Sequence, residues 1–207
     1  VTFYMLYQLS GRTSKLSAGH RSMARLSGLV CVALIPTGIL GFFFRNQFER
    51  LFGSLPAVGI MLMITGAILW MTRKTGQGTK DSGTISIADA LVIGVIQGLA
   101  IAPGISRSGS TISFSLFRKL QKSCAFSFSF LISVPAIAGA MILEWETPDL
   151  SSGELLRVLA GTLTAAVTGY LCLRFLRTMV QRGHLHFFSP YCWAAGIAAV
   201  VLSFMLQ

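Results

Sequence analysis

Pro103-Gly104-Ile105-Ser106-Arg107-Ser108-Gly109-Ser110-Thr111 is the stretch on which the reading of this chain turns. It is a glycine-punctuated, hydroxyl-rich break with one arginine. Apolar runs lead into it (Ala88 to Ala102) and out of it (Ile112 to Phe117). An arginine at membrane depth is costly and calls for an anionic partner or water. Backbone that is not helical is tolerated there only where protein or an aqueous cavity surrounds it. Neither flanking run is long enough to cross alone, since a crossing helix needs about 20 residues. The expected structure over 88–117 is therefore a re-entrant helical hairpin, which dips into the bilayer and returns to the side it left.

Outward from this motif the chain reads as membrane protein. Of its 207 residues 53% are hydrophobic and only 12% charged, where a soluble domain carries about 25% charged residues. Apolar runs from Leu29 to Phe44, Leu55 to Met71, Cys124 to Leu143, Leu155 to Leu176 and Tyr191 to Leu206 mark the spans. The expected fold class is all-α, a polytopic membrane helix bundle, with residues 1–207 forming a single integral membrane domain around the hairpin.

The net charge of +10 does not point to nucleic acid, because the basic residues fall between apolar runs and not on one continuous face. Anionic lipid headgroups explain them better. Arg12, Lys15, Arg21 and Arg25 precede the first span, and Arg73, Lys74 and Lys80 follow the second. Arg118, Lys119 and Lys122 follow the hairpin, and Arg174, Arg177 and Arg182 close the long span. If the hairpin enters and leaves on one side, all four groups share that side, which the positive-inside rule makes cytoplasmic. Counting the hairpin as a full crossing breaks this alternation. Cys31, Cys124, Cys172 and Cys192 lie far apart within apolar stretches, without metal or redox spacing, and read as packing residues. His184 and His186 read as part of a solvated loop.

Each residue type in the motif has chemistry to offer. Pro103 helps to end the incoming helix. Gly104 and Gly109 permit unusual backbone angles and close approach. Ser106, Ser108 and Thr111 carry hydroxyls, and Arg107 carries a planar fork suited to phosphate oxygens. Backbone N–H groups at the start of the outgoing helix add to an anion site. A diphosphate fits this inventory. The competing reading is a glycine-rich helix break whose arginine pairs with a lipid phosphate or a carbonyl.

The motif resembles the PGxSRSxxT signature of bacterial undecaprenyl-diphosphatases, also known as bacitracin-resistance proteins. The likeness extends through GVIQGLAIAPGISRSGSTIS, FSFLISVPAIAGA (Phe128 to Ala140), LIPTGILGFFF (Leu34 to Phe44) and FFSPYCWAAG (Phe187 to Gly196), in the family's order. The resemblance implies a multi-pass enzyme of the bacterial plasma membrane, with two inverted repeats that each contain a re-entrant hairpin. It implies hydrolysis of undecaprenyl diphosphate to undecaprenyl phosphate and inorganic phosphate. That reaction recycles the lipid carrier for peptidoglycan and gives bacitracin resistance. On this reading Arg107 and Ser106 are the candidate catalytic residues. Arg107 holds the diphosphate, and Ser106 is nucleophile or phosphate ligand. Ser108, Thr111, Gly104, Gly109 and Gln97 are candidate substrate-phosphate contacts, with a helix-to-helix hydrogen bond the alternative for Gln97.

One family motif has no counterpart. The family's first motif pairs glutamates at ExxxE spacing, followed by a proline, serines and Gly-His, and its carboxylates are expected to bind a divalent cation, magnesium or calcium. None of the seven acidic residues here forms such a pair, so this chain is expected to hold no metal ligands. Leu16-Ser17-Ala18-Gly19-His20 echoes the end of that motif but lacks its glutamates, and reads as part of a connection. The simplest explanation is that sequence upstream of Val1 is missing. The alternatives are an inactive homologue that binds polyprenyl phosphate, and a lipid flippase or transporter, since broken helices and inverted repeats are also transporter architecture.

Overall fold

The computed structural model describes the backbone of residues 15–143 and 152–205, and side chains within 25–142 and 156–205. The described residues form helices α1 (Lys15–Phe43), α2 (Arg45–Phe52), α3 (Leu55–Met71), α4 (Ile87–Leu99), α5 (Arg107–Phe117), α6 (Lys122–Leu143), α7 (Ser152–Arg182) and α8 (Ser189–Met205). Single 3-10 turns at Thr72–Lys74 and Leu185–Phe188 extend α3 and lead into α8. Among the described residues five stretches are long and apolar enough to cross a membrane: Arg25–Phe43, Leu55–Lys74, Lys122–Ile142, Leu156–Arg182 and Leu185–Met205. Large apolar side chains such as Phe42, Ile142, Leu163 and Phe204 face outward along them. An all-α, multi-pass membrane bundle is the architecture that gives such a surface a lipid solvent.

The spans follow the apolar runs closely, with α3 matching its run residue for residue. Two departures have local causes. Helix α1 begins at Lys15, well before the first apolar run, so the Leu16-to-His20 echo lies on a helix and not in a connection. Lysine, arginine, leucine, alanine and methionine are all good helix formers, so the basic segment prolongs the helix out of its apolar stretch. Likewise α5 begins at Arg107 and not Ile112. Three of its hydroxyls are absorbed by the helix itself: Thr111 donates to Arg107 O (2.9 Å), Ser113 to Gly109 O (2.6 Å) and Ser115 to Thr111 O (2.7 Å). This is the back-bonding that lets serine and threonine sit inside helices.

Two close seams hold the bundle together. In one, α3 crosses α8 where Gly59 meets Gly196; a Cβ on either would come within 2.7 Å of the other's carbonyl oxygen. In the other, α1 lies on α4. A Cβ at Gly94 would sit 2.1 Å from Ala33 O, and Thr37 donates across the contact to Gly94 O at 2.8 Å. Small residues that bring backbones together, with a hydroxyl bridging them, are how helices associate where lipid removes the hydrophobic drive. By contrast α7 is exposed at every residue from Leu156 to Phe175 except Gly169. Of the cysteines, only Cys192 is buried, while Cys31 and Cys172 are exposed.

One end of the bundle collects the basic residues. Arg25 donates to Gly83 O and, at 3.0 Å, to Ile85 O, tying α1 to the loop before α4. The N–H groups of Thr79 and Lys80 both donate to Lys119 O at 2.9 Å, and Gln121 N–H donates to Lys80 O at 2.8 Å. The loop after α3 is thereby stitched to the turn after α5. At the same end Arg73 lies over Trp70, 4.2 Å from the ring centroid. His186 packs edge-on to Trp70 and His184 stacks on Phe187 at 4.8 Å, so the histidines belong to a half-buried aromatic cluster and not to a solvated loop.

Candidate functional site

The turn between α4 and α5 is built against the backbone of α3. Gly104 has φ +90, and a Cβ there would come within 2.5 Å of Val58 O and 2.9 Å of Met61 Cβ. Positive φ and lack of space both require glycine at this position. Two residues on, Ser106 is the N-cap of α5, its Oγ accepting from Gly109 N–H at 3.1 Å. Gly109 in turn leaves room for that hydroxyl, since a Cβ there would lie 2.8 Å from Ser106 Oγ.

The turn is pinned by a residue that sequence reasoning passed over. Thr65, buried on α3, donates its hydroxyl to Gly104 O at 2.9 Å and accepts from Ser106 N–H at 3.1 Å. The available signal was its isolation, as the only serine or threonine between Leu55 and Met71. Ser106 and Gly109 N–H groups being engaged, the N–H groups of Arg107 and Ser108 are left without a protein acceptor among the described residues. Those two point out of the positive end of a helix, where an anion is favoured.

An open pocket of about 410 Å³ lies beside this turn. Thr65, Gly104, Ser106, Ser108 and Gly109 give its polar lining; the larger part is apolar, with Leu62 and Leu69 beside Thr65 on α3, Leu176 of α7, Phe188 of the turn before α8 and Cys192 of α8. The structure thus brings four of the expected residues, Gly104, Ser106, Ser108 and Gly109, into one pocket lining. Arg107, the next residue in the chain after Ser106, is half-buried and is not among the lining residues, and its guanidinium makes no hydrogen bond or ion pair among the described residues. Thr111 is buried and spends its proton on Arg107 O. Gln97, buried on α4, donates from Nε2 to Ile132 O of α6 at 3.2 Å, and its Oε1 has no partner among the described residues.

The open end of the hairpin is clamped by a second unanticipated residue. Asp89, fully buried in the first turn of α4, accepts from Lys80 Nζ (2.7 and 3.0 Å) and from Arg118 Nε (2.7 Å). Arg118 is the C-cap of α5, so the ion pair joins both ends of the hairpin. Asp89 also completes a capping box with Ser86, and Ser86-x-x-Asp89 was the readable sign of it. Burial works to raise its pKa. The bonds from Lys80, Ser86 N–H and Arg118 outweigh that and hold it well below the ordinary carboxylate range. In the preceding loop, Asp81 is lowered chiefly by its hydrogen bond from Thr84.

This donor set does not suit a divalent cation. Hard cations take several carboxylate or carbonyl oxygens. The polar wall of the pocket offers hydroxyls and glycine backbone, and Asp89 is committed to two cationic side chains. No group of three His, Cys, Asp or Glu close enough for a metal occurs among the described residues. Glu144, Glu146 and Asp149 lie outside the described residues, as does the side chain of Glu154.

Fold and turn together define a class: a multi-pass membrane protein with a capped helix start facing a half-polar, half-apolar pocket between its helices. The sequence profile described as bacitracin resistance protein BacA matches residues 2–198, and the chain belongs to that family. Relatives named undecaprenyl-diphosphatase include one from Desulforapulum autotrophicum, 43% identical over 182 residues, covering 87% of this chain and 66% of the relative. One from Alkaliphilus metalliredigens is 39% identical over 200 residues, covering 95% and 72%. One from Methanothermobacter thermautotrophicus is 39% identical over 175 residues, covering 82% of this chain and 96% of the relative. The chain spans about two thirds of the length of the first two.

Proposed function

We propose that this protein hydrolyses undecaprenyl diphosphate to undecaprenyl phosphate and inorganic phosphate, in a bacterial plasma membrane, returning the carrier lipid to cell-wall synthesis. The observation that carries the proposal is the mixed lining of the pocket. A capped helix start contributes glycine and hydroxyl edges, and the larger apolar part suits a prenyl chain. A substrate with a diphosphate head and a long hydrocarbon tail matches that mixture, and the family's relatives are named for acting on it.

In the proposed reaction water displaces undecaprenyl phosphate from the terminal phosphorus, breaking the P–O–P anhydride and releasing orthophosphate. Phosphoryl transfer depends mostly on positioning and charge stabilisation. Arg107 is the group for that work, with a planar guanidinium not committed to a partner among the described residues. The N–H groups of Arg107 and Ser108 add two aligned donors. Ser106 shapes the helix start through its cap, and its own O–H proton remains available to a phosphate oxygen. The pocket surface accounts for Ser108, Gly104 and Gly109 as contacts, while Thr111 and Gln97 serve through the helices they brace.

The hairpin reading belongs to the same proposal: α4 and α5 enter and leave on the basic, cytoplasmic side. Thirteen and eleven residues give helices of about 20 and 16 Å, short of a hydrocarbon core of about 30 Å. The Asp89–Arg118 pair joining their outer ends supports this reading. The tip then lies near mid-membrane depth, packed on α3 at Val58 and Met61.

The test is phosphate release from undecaprenyl diphosphate by detergent-purified protein and its Arg107→Ala variant. The expected loss on substitution is at least about 100-fold, the scale on which preorganised donors to transition-state charge act. Equal release by both, or none above blank from the unmodified protein, defeats the proposal.

A further inference from the structure

We infer that Thr65 is a positioning residue for the pocket: one hydroxyl on α3 sets the conformation of the turn that delivers Arg107 and the free N–H groups of α5. This rests on the phosphatase reading above and adds a residue that the motif does not contain.

The argument is one of donors and acceptors. A threonine hydroxyl has a single proton and accepting lone pairs. Here the proton goes to Gly104 O at 2.9 Å and a lone pair takes Ser106 N–H at 3.1 Å. Both sites are backbone, they flank Ile105, and together they fix the orientation of the peptide units on either side of it. Thr65 is 1% exposed, so in the native turn water does not compete for these two bonds. The next residue after Ser106 is Arg107, so an error at Ser106 is passed directly to the guanidinium and to the helix start.

The contact also selects which donors at the helix start stay free. Ser106 N–H is turned into α3 and spent there, while Arg107 and Ser108 N–H are not. Without the hydroxyl, two part-buried backbone groups lose their partner, which is unfavourable unless the turn rearranges. The turn has reason to rearrange, since Gly104 at φ +90 has no side chain to resist it. A shift of about 1 Å in such a group is enough to cost on the order of 100-fold in rate. Gly109, the Ser106 cap and the Asp89 clamp remain intact in that event, so the helices persist while the tip is misplaced.

The test compares Thr65→Val, which keeps shape but not the hydroxyl, with Thr65→Ser, which keeps the hydroxyl, using phosphate release from undecaprenyl diphosphate. Arg107→Ala runs beside them as the marker for the phosphatase reading. The expected result for the valine variant is a fall in kcat of about tenfold or more with KM changed far less, and for the serine variant kcat within about threefold of unmodified protein. Hydrogen exchange supplies a readout that does not depend on turnover: the Ser106 amide should lose protection in the valine variant while α4 and α5 keep theirs. If the unmodified protein is active and Arg107→Ala is not, yet Thr65→Val retains full kcat, the role given to Thr65 is wrong while the phosphatase reading stands. A serine variant as impaired as the valine variant also overturns it. Should the valine variant fail to purify as a monodisperse protein, the serine variant decides alone, and a loss beyond about threefold overturns the inference.

Discussion

Replacing Asp89 by asparagine removes the charge from a fully buried carboxylate while keeping its shape. The carboxylate accepts from Lys80 Nζ at 2.7 and 3.0 Å, Arg118 Nε at 2.7 Å and Ser86 N–H at 3.0 Å. Asparagine retains an oxygen for Ser86 but leaves Lys80 and Arg118 without a counter-charge. Breaking a buried ion pair from one side costs about 3–5 kcal/mol. The side chains of Lys80 and Arg118 are 29% and 40% exposed, so they can turn partly to water when released. The expected cost is therefore lower, about 2–3 kcal/mol. It is measured as the shift in unfolding midpoint when detergent-solubilised protein is titrated with sodium dodecyl sulfate. The native carboxylate titrates below its unfolded value, so the clamp contributes fully above the ordinary aspartate pKa of about 3.9 and is lost as pH falls below it toward the depressed native value. Arg118→Gln alone should cost about 1 kcal/mol and almost nothing in the Asp89→Asn background. An Asp89→Asn variant within 0.5 kcal/mol of the unmodified protein at pH 7, or fully additive effects of the two substitutions, would refute the clamp (both thresholds being on the order of ordinary surface effects).

Three further outcomes follow from the same geometry. Gly104→Ala places a side chain at φ +90 and 2.5 Å from Val58 O; it should cost at least about 2 kcal/mol in the same titration and abolish phosphate release. Gly94→Val drives a Cβ to 2.1 Å from Ala33 O, so α1 and α4 must part, and a disulfide engineered across that seam should no longer form in the variant. Ser106→Ala removes the α5 cap and should cost about 1 kcal/mol, whereas Ser106→Asn should restore most of that stability, as read by thermal unfolding.

The spans were legible because lipid makes apolar runs obligatory: α3 coincides with its run, and α6 and α8 start within two residues of theirs. Helix ends beyond the apolar core were not, since nothing in Lys15 to Arg25 distinguishes a helical extension from a loop until packing is known. Helix α2, eight residues in a short connection, gave no run to find. At the site, glycines and hydroxyls at 104–109 could be read from the motif, but not which hydroxyl faces the pocket. Thr111 and Ser113 look like Ser108 in sequence, and differ because their positions on α5 aim them at carbonyls one turn back. Thr65 and Asp89 escaped notice for a common reason. Each acts on a segment distant in sequence, and a lone polar residue beside an apolar run discloses no partner.

The unequal packing of the helices bears on how the proposed substrate, a lipid tens of carbons long, would get to and from a site in the interior. Seams α1–α4 and α3–α8 bring backbones into contact and leave no slack for a passing chain. Helix α7 supplies Leu176 to the apolar wall, and its Leu156–Phe175 stretch makes little contact with the other described helices. If the proposed function holds, that flank is the side on which the tail would lie sideways in the membrane while only the head turns inward. Entry and exit along it would then be lateral diffusion within the leaflet, with no passage of the hydrocarbon through water.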